Sequence, residues 1–65
     1  MFEIGDRVKW HSHGAEARGR VVRVAYEDGE VNGFRYRASR NEPRSIVELE
    51  DGAQVAHREE ALSPG

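Results

Sequence analysis

The side chains able to do chemistry fall into a few groups. Ser12, Ser39 and His57 supply hydroxyls and an imidazole, the raw materials of a nucleophile and its base. A working triad also needs an orienting acid, an oxyanion hole and a pocket, and a chain of 65 residues has little room for all of them. These three therefore read as structural polar groups. A buried or half-buried His57 that bonds a backbone carbonyl or a Ser hydroxyl would pin the last strand. His11 and His13 stand two apart, on one face if the segment is a strand. A proper metal site takes three or four ligands at fixed geometry, and no third partner has a forced location, so no metal and no cofactor is expected.

The aromatic residues are Phe2, Trp10, Tyr26, Phe34 and Tyr36. Trp10 and Tyr36, with Tyr26 third, are the candidates for a ligand-binding aromatic surface. Against this, a chain with so few large apolar residues needs most of its rings for its core. The arginines are the most distinctive charged feature. On strand spacing Arg35 and Arg37 share an outward face, as do Arg18 and Arg20, with Arg40 and Arg44 close behind in sequence. If the two strands adjoin, a guanidinium stripe results, and the planar guanidinium fork suits phosphate. Arg18, Arg20, Arg35, Arg37 and Arg40 are thus the candidate nucleic-acid contacts. The competing reading is cross-strand pairing with Glu16, Glu48 and Glu50, which would register and solvate the sheet.

These residues need elements to position them. Gly5-Asp6, Asp28-Gly29, Asn32-Gly33, Asn41-Glu42-Pro43 and Asp51-Gly52 cut the chain into short pieces. Asn-Gly and Asp-Gly tolerate positive φ at little cost and so favour tight turns. Between the turns the pattern has the period of two expected of strands: residues 7–10, 18–26, 34–38, 45–50 and 54–57. Val47 and Leu49 share one face, and Phe34, Tyr36 and Ala38 share another. In the second strand Gly19, Val21 and Val24 form the inward set, and a bulge near Val22-Arg23 is needed to restore the face. Residues 58–62 are too short for a stable helix and read as one helical turn that lays Leu62 over an open end. Residues 63–65 read as a frayed tail.

Composition bounds the rest. The chain has no cysteine, so neither a disulfide nor a thiolate metal site is available. Ten Lys and Arg face twelve Asp and Glu for a formal charge of −2, which weighs against a dedicated polyanion binder. No run approaches the ~20 apolar residues of a membrane span, and the N-terminus lacks the pattern of a signal peptide. The chain reads as soluble and cytoplasmic, one domain over 1–65 with a core at about 5–62.

The order Gly5-Asp6-Arg7-Val8-Lys9-Trp10, Ser12-His13-Gly14, Gly19-x-Val21, Gly33, Ala38-Ser39, Glu42-Pro43, Val47, Gly52, Ala56-His57 and Glu60-Ala61-Leu62 resembles the hypervirulence-associated Tudor-domain family. The resemblance implies a Tudor-like, SH3-type barrel without catalytic activity. Tudor-like domains often hold methylated Lys or Arg in a cage of rings, by cation–π attraction. The family pattern carries an aromatic where this chain has Ser45, and a longer loop where it has Glu50-Asp51-Gly52.

The sequence thus predicts an all-β, five-stranded SH3-like (Tudor-like) barrel with a short C-terminal helical turn. Its expected role is a non-catalytic binding module for a protein or peptide, in a groove near Trp10, Tyr36 and Arg37. The alternative is RNA or DNA binding through an Arg-rich sheet face. A monomer or weak homo-oligomer is expected.

Overall fold

The structure, a computed structural model, describes residues 2–65. It is all-β apart from a single 3₁₀ turn. The strands are β1 (Arg7–Ser12), β2 (Ala15–Ala25), β3 (Gly29–Val31), β4 (Phe34–Tyr36), β5 (Arg44–Glu48), β6 (Gln54–Arg58) and β7 (Ser63–Pro64), with the 3₁₀ turn Glu59–Ala61 before β7. Five of them form one antiparallel sheet in the order β6-β5-β2-β1-β7, and β3 and β4 form a separate hairpin.

Local chemistry sets this layout. Ser12 pairs with Ala15, which leaves His13 and Gly14 as a two-residue turn with φ of 52° and 78°. Val31 pairs with Phe34 around Asn32 and Gly33, at 48° and 79°. Positive φ at both central residues is the requirement of the type I′ turn, whose twist matches that of the strands it joins. His13 is thus committed to a turn, and no cluster of three potential metal ligands exists among the described residues.

β2 carries the expected bulge, with the β2–β5 register shifting between Val21 and Arg23. The extra residue lets Val21 and Val24 pack on one cluster while Val22 and Ala25 pack on another. The first cluster is built on Val8, Trp10, Val21, Val47 and Leu62. The second joins Ala25, Val31 and Ile46, with Tyr36 and Ala38 against it. Leu62 follows the 3₁₀ turn and seals the first cluster, as its position in the sequence predicts.

Two expectations change. Of residues 34–38, Phe34–Tyr36 form a strand of the small hairpin rather than of the main sheet, and Arg37 and Ala38 lie outside any strand. There the Ala38 N–H donates to Asp28 Oδ1 at 2.9 Å, which turns the chain away from the ladder. The tail is not frayed: Ser63 and Pro64 pair with Lys9 and Val8, and the Gly65 N–H donates to the Arg7 carbonyl at 2.9 Å. Pro64 is tolerated because β7 is an edge strand, where a missing N–H faces no ladder partner.

A candidate ligand cleft

The chain folds so that the β3–β4 hairpin faces part of the main sheet across a cleft of about 670 Å³. Trp10 comes from β1, His57 from β6, Phe34 and Tyr36 from β4, and Leu49 and Val55 complete an apolar lining. Arg35, Arg37 and Arg44 also border it. No Asp or Glu lines this cleft among the described residues, although carboxylates outnumber basic residues in the chain, twelve to ten.

Three of these rings are held by specific contacts. The Trp10 and His57 rings lie with centroids 5.0 Å apart, tilted by 50°. Burial, and secondarily the Arg44 charge, lower the His57 pKa from the usual imidazole value of 6.5. The Tyr36 ring lies against the bare backbone of Gly29, where an added Cβ would stand 2.8 Å from Cζ and also clash with the phenol oxygen. Arg44 Nε donates to the Arg37 carbonyl at 2.8 Å and ties the start of β5 to the segment after β4. The bond uses the Arg37 backbone and leaves its side chain exposed.

Trp10, Tyr36 and Arg37 thus border one cleft, but the aromatic surface expected from sequence is altered. Trp10 is only 6% exposed and sits in the core, because a chain with so few large apolar residues buries its single Trp. Tyr26 is 46% exposed and borders a different depression, which it shares with Tyr36, Arg23, Asp28 and Arg40 but not with Trp10. The three rings therefore do not converge on one point. The ring that sequence reasoning missed is Phe34, 76% exposed at the cleft edge. Asn32-Gly33 places Phe34 at the end of its hairpin, but that position alone does not fix its exposure, since Val31, its partner across the ladder, is buried.

The arginines do not form one stripe. β2 is bonded to β1 and β5, while β4 is bonded only to β3, so the strands of Arg18 and Arg35 do not adjoin. Arg18 is engaged by Glu16 at 2.9 Å, which together with the Arg18 charge lowers the Glu16 pKa. Arg20 stands opposite Arg7 on one side and Glu48 on the other. Arg35, Arg37, Arg40 and Arg44 have no carboxylate within 4.0 Å among the described residues, since the ion pairs there involve other cations.

The polar trio also separates. Ser39 Oγ accepts the Glu42 N–H at 3.1 Å and closes the turn before β5, a structural role. Ser12 borders the cleft. His57 makes no ring hydrogen bond among the described residues; its ring instead lies in a tilted contact with Trp10, and its partner across the ladder is the buried Ser45.

An all-β chain with a five-stranded antiparallel sheet and one 3₁₀ turn is consistent with a Tudor domain. The chain belongs to the family described as hypervirulence associated proteins TUDOR domain, whose model matches residues 5–62. Domains of Tudor type are generally small binding modules, and the family suggests that role here. No curated protein and no solved structure matches the chain significantly. No helix is long and apolar enough to cross a membrane among the described residues.

Proposed function

We propose that the chain is a non-catalytic module that binds a protein or peptide segment in the cleft between the β3–β4 hairpin and the main sheet. The observation that carries this reading is the lining of that cleft, where Trp10, Tyr36 and an exposed Phe34 stand together over aliphatic side chains. Exposed aromatic surface next to a formed apolar recess is the usual ground on which a partner side chain is anchored. The separation of Arg18 and Arg20 from Arg35 and Arg37 weighs against a continuous nucleic-acid track.

An amide-resolved NMR titration tests the reading. The probes are a pool of short random peptides and a mixed single-stranded oligonucleotide, each at low and at physiological salt. Peptide-induced shifts on the amides of Tyr36, Arg37 and His57 that persist at physiological salt support it. Shifts on Arg18, Arg20 and Arg35 caused by the oligonucleotide and lost with salt, as counterion release demands, would replace it with nucleic-acid binding.

A further inference from the structure

We propose that the cleft takes an acidic peptide segment, with an apolar side chain on the Trp10–Tyr36 floor and neighbouring carboxylates on Arg35, Arg37 and Arg44. The proposal rests on the peptide-binding reading of the cleft and names the chemistry of its ligand.

The charge distribution carries it. The chain is net acidic, yet among the described residues the formally charged side chains along this cleft are all arginines. Arg37 and Arg44 have no carboxylate within 4.0 Å among the described residues, and Arg44 spends only Nε on the Arg37 carbonyl. Arg35 stands opposite Glu30 across the hairpin, but no ion pair forms between them. Like charges gathered at an apolar recess repel one another, and although Asp28 and Glu30 share a neighbouring depression with Arg35 and Arg37, neither lines this cleft or forms an ion pair with them. A ligand that brings carboxylates relieves this, and the guanidinium fork can take each carboxylate through two N–H groups.

The same arrangement disfavours a cationic ligand. A Lys or Arg side chain entering here would meet three guanidinium groups and, among the described residues, no lining carboxylate, and like-charge juxtaposition strongly rejects a partner. The apolar floor favours peptide over nucleic acid, because Leu49, Val55 and Ala56 offer aliphatic packing and no phosphate contact.

The test uses the chain's single tryptophan, which borders the cleft, as its own reporter. Trp10 fluorescence is followed on titration with a short capped peptide carrying Leu-Phe flanked by Glu and Asp. Two analogues replace the acids by Gln or by Lys, and a single-stranded oligonucleotide is run in parallel. The acidic peptide is expected to bind at least about fivefold more tightly than the Gln analogue, the Lys analogue more weakly still, and salt to narrow the gap. Arg37→Glu, whose side chain is exposed, should weaken the acidic peptide by about tenfold with an unchanged melting temperature, since a charge-assisted hydrogen bond becomes a repulsion. Equal binding of the acidic and Gln peptides would overturn the acidic ligand and leave the peptide cleft standing. Preference for the Lys analogue, or for the oligonucleotide with the same Arg37→Glu sensitivity, would overturn the proposal outright. No response of Trp10 to any peptide would remove the proposal and the cleft reading together.

Discussion

Trp10 on β1 and His57 on β6 touch ring to ring, with centroids 5.0 Å apart, although β2 and β5 lie between their strands in the ladder. Three ladder steps of about 4.8 Å would hold the two strands roughly 14 Å apart in a flat sheet. The contact therefore reports strong curvature: the sheet bends until side chains from distant strands meet over its concave face. The bulge in β2 supplies part of that bend, since a bulge kinks its strand and increases the local twist. Curvature, in turn, makes the cleft.

That contact gives a pH dependence. The folded His57 has a pKa below 6.5, because burial and the Arg44 charge both oppose the imidazolium. The unfolded chain then binds more protons than the folded one in this range, so stability rises with pH and levels off above 6.5. Acidification below 6.5 should destabilise the fold before most carboxylates titrate. Urea melts at pH 7.5 and at pH 5.5 check this, with His57→Phe as the comparison. The variant keeps a ring against Trp10 and should show a smaller loss over that interval; an identical loss in both would remove His57 as its source.

Gly19 is a second point of tight packing. A Cβ there would stand 2.5 Å from Val47 Cγ1 and 2.6 Å from the Glu48 carbonyl oxygen. The carbonyl belongs to a paired strand and cannot step aside cheaply. Gly19→Ala should cost roughly 1–3 kcal/mol, the range for forced overpacking. Gly14→Ala meets no atom but has φ of 78°, so it should cost about 1 kcal/mol from backbone conformation alone. Chemical denaturation of both variants separates the two causes: a Gly19→Ala protein as stable as the parent would show that β2 and β5 are less closely apposed.

What was legible from sequence follows from what is local. Alternation and turn residues located β1, β2, β5 and β6, and the step from Val21 to Val24 revealed the bulge, because a strand's faces have a period of two. The pairing of β7 was not legible. Its two residues show no pattern, and the tail lies beside β1 only because the 3₁₀ turn redirects the chain. The placement of Arg18 relative to Arg35 was likewise hidden, since face and spacing say nothing about which strands are neighbours. The burial of Trp10 could be weighed from the scarcity of large apolar residues, but its pairing with His57 depends on sheet curvature, a tertiary property.

The C-terminal pairing is itself testable. Deleting residues 63–65 removes the β1–β7 pairing and the Gly65 N–H to Arg7 carbonyl bond. It also uncovers the Val8 backbone, which Gly65 approaches closely. At about 1 kcal/mol for each net backbone bond lost, the truncated chain should be less stable by roughly 1–2 kcal/mol. Amide hydrogen exchange offers an independent check, since removing the neighbour of β1 should raise exchange in Arg7–Ser12 more than in Gln54–Arg58 on the opposite edge. Equal protection in the truncated and full chains would mean that the tail does not hold the edge.

Phe34 separates packing from binding most cleanly. Its ring is 76% exposed, so its removal takes little from the core. The Asn32–Gly33 turn, which fixes the hairpin through positive φ at both residues, is left intact. Phe34→Ser should therefore change stability by no more than about 0.5 kcal/mol, the usual limit for a surface substitution away from special features. The same ring stands at the edge of the cleft, where an apolar ligand side chain would lie against it. Losing that contact should weaken the acidic Leu-Phe peptide by about fivefold, roughly what burial of part of one aromatic ring is worth. Thermal melts and the Trp10 fluorescence titration read the two effects on the same sample. Weaker binding at constant stability would make Phe34 a ligand contact. A fall in melting temperature with unchanged affinity would make it a packing residue and move the binding surface away from the hairpin tip.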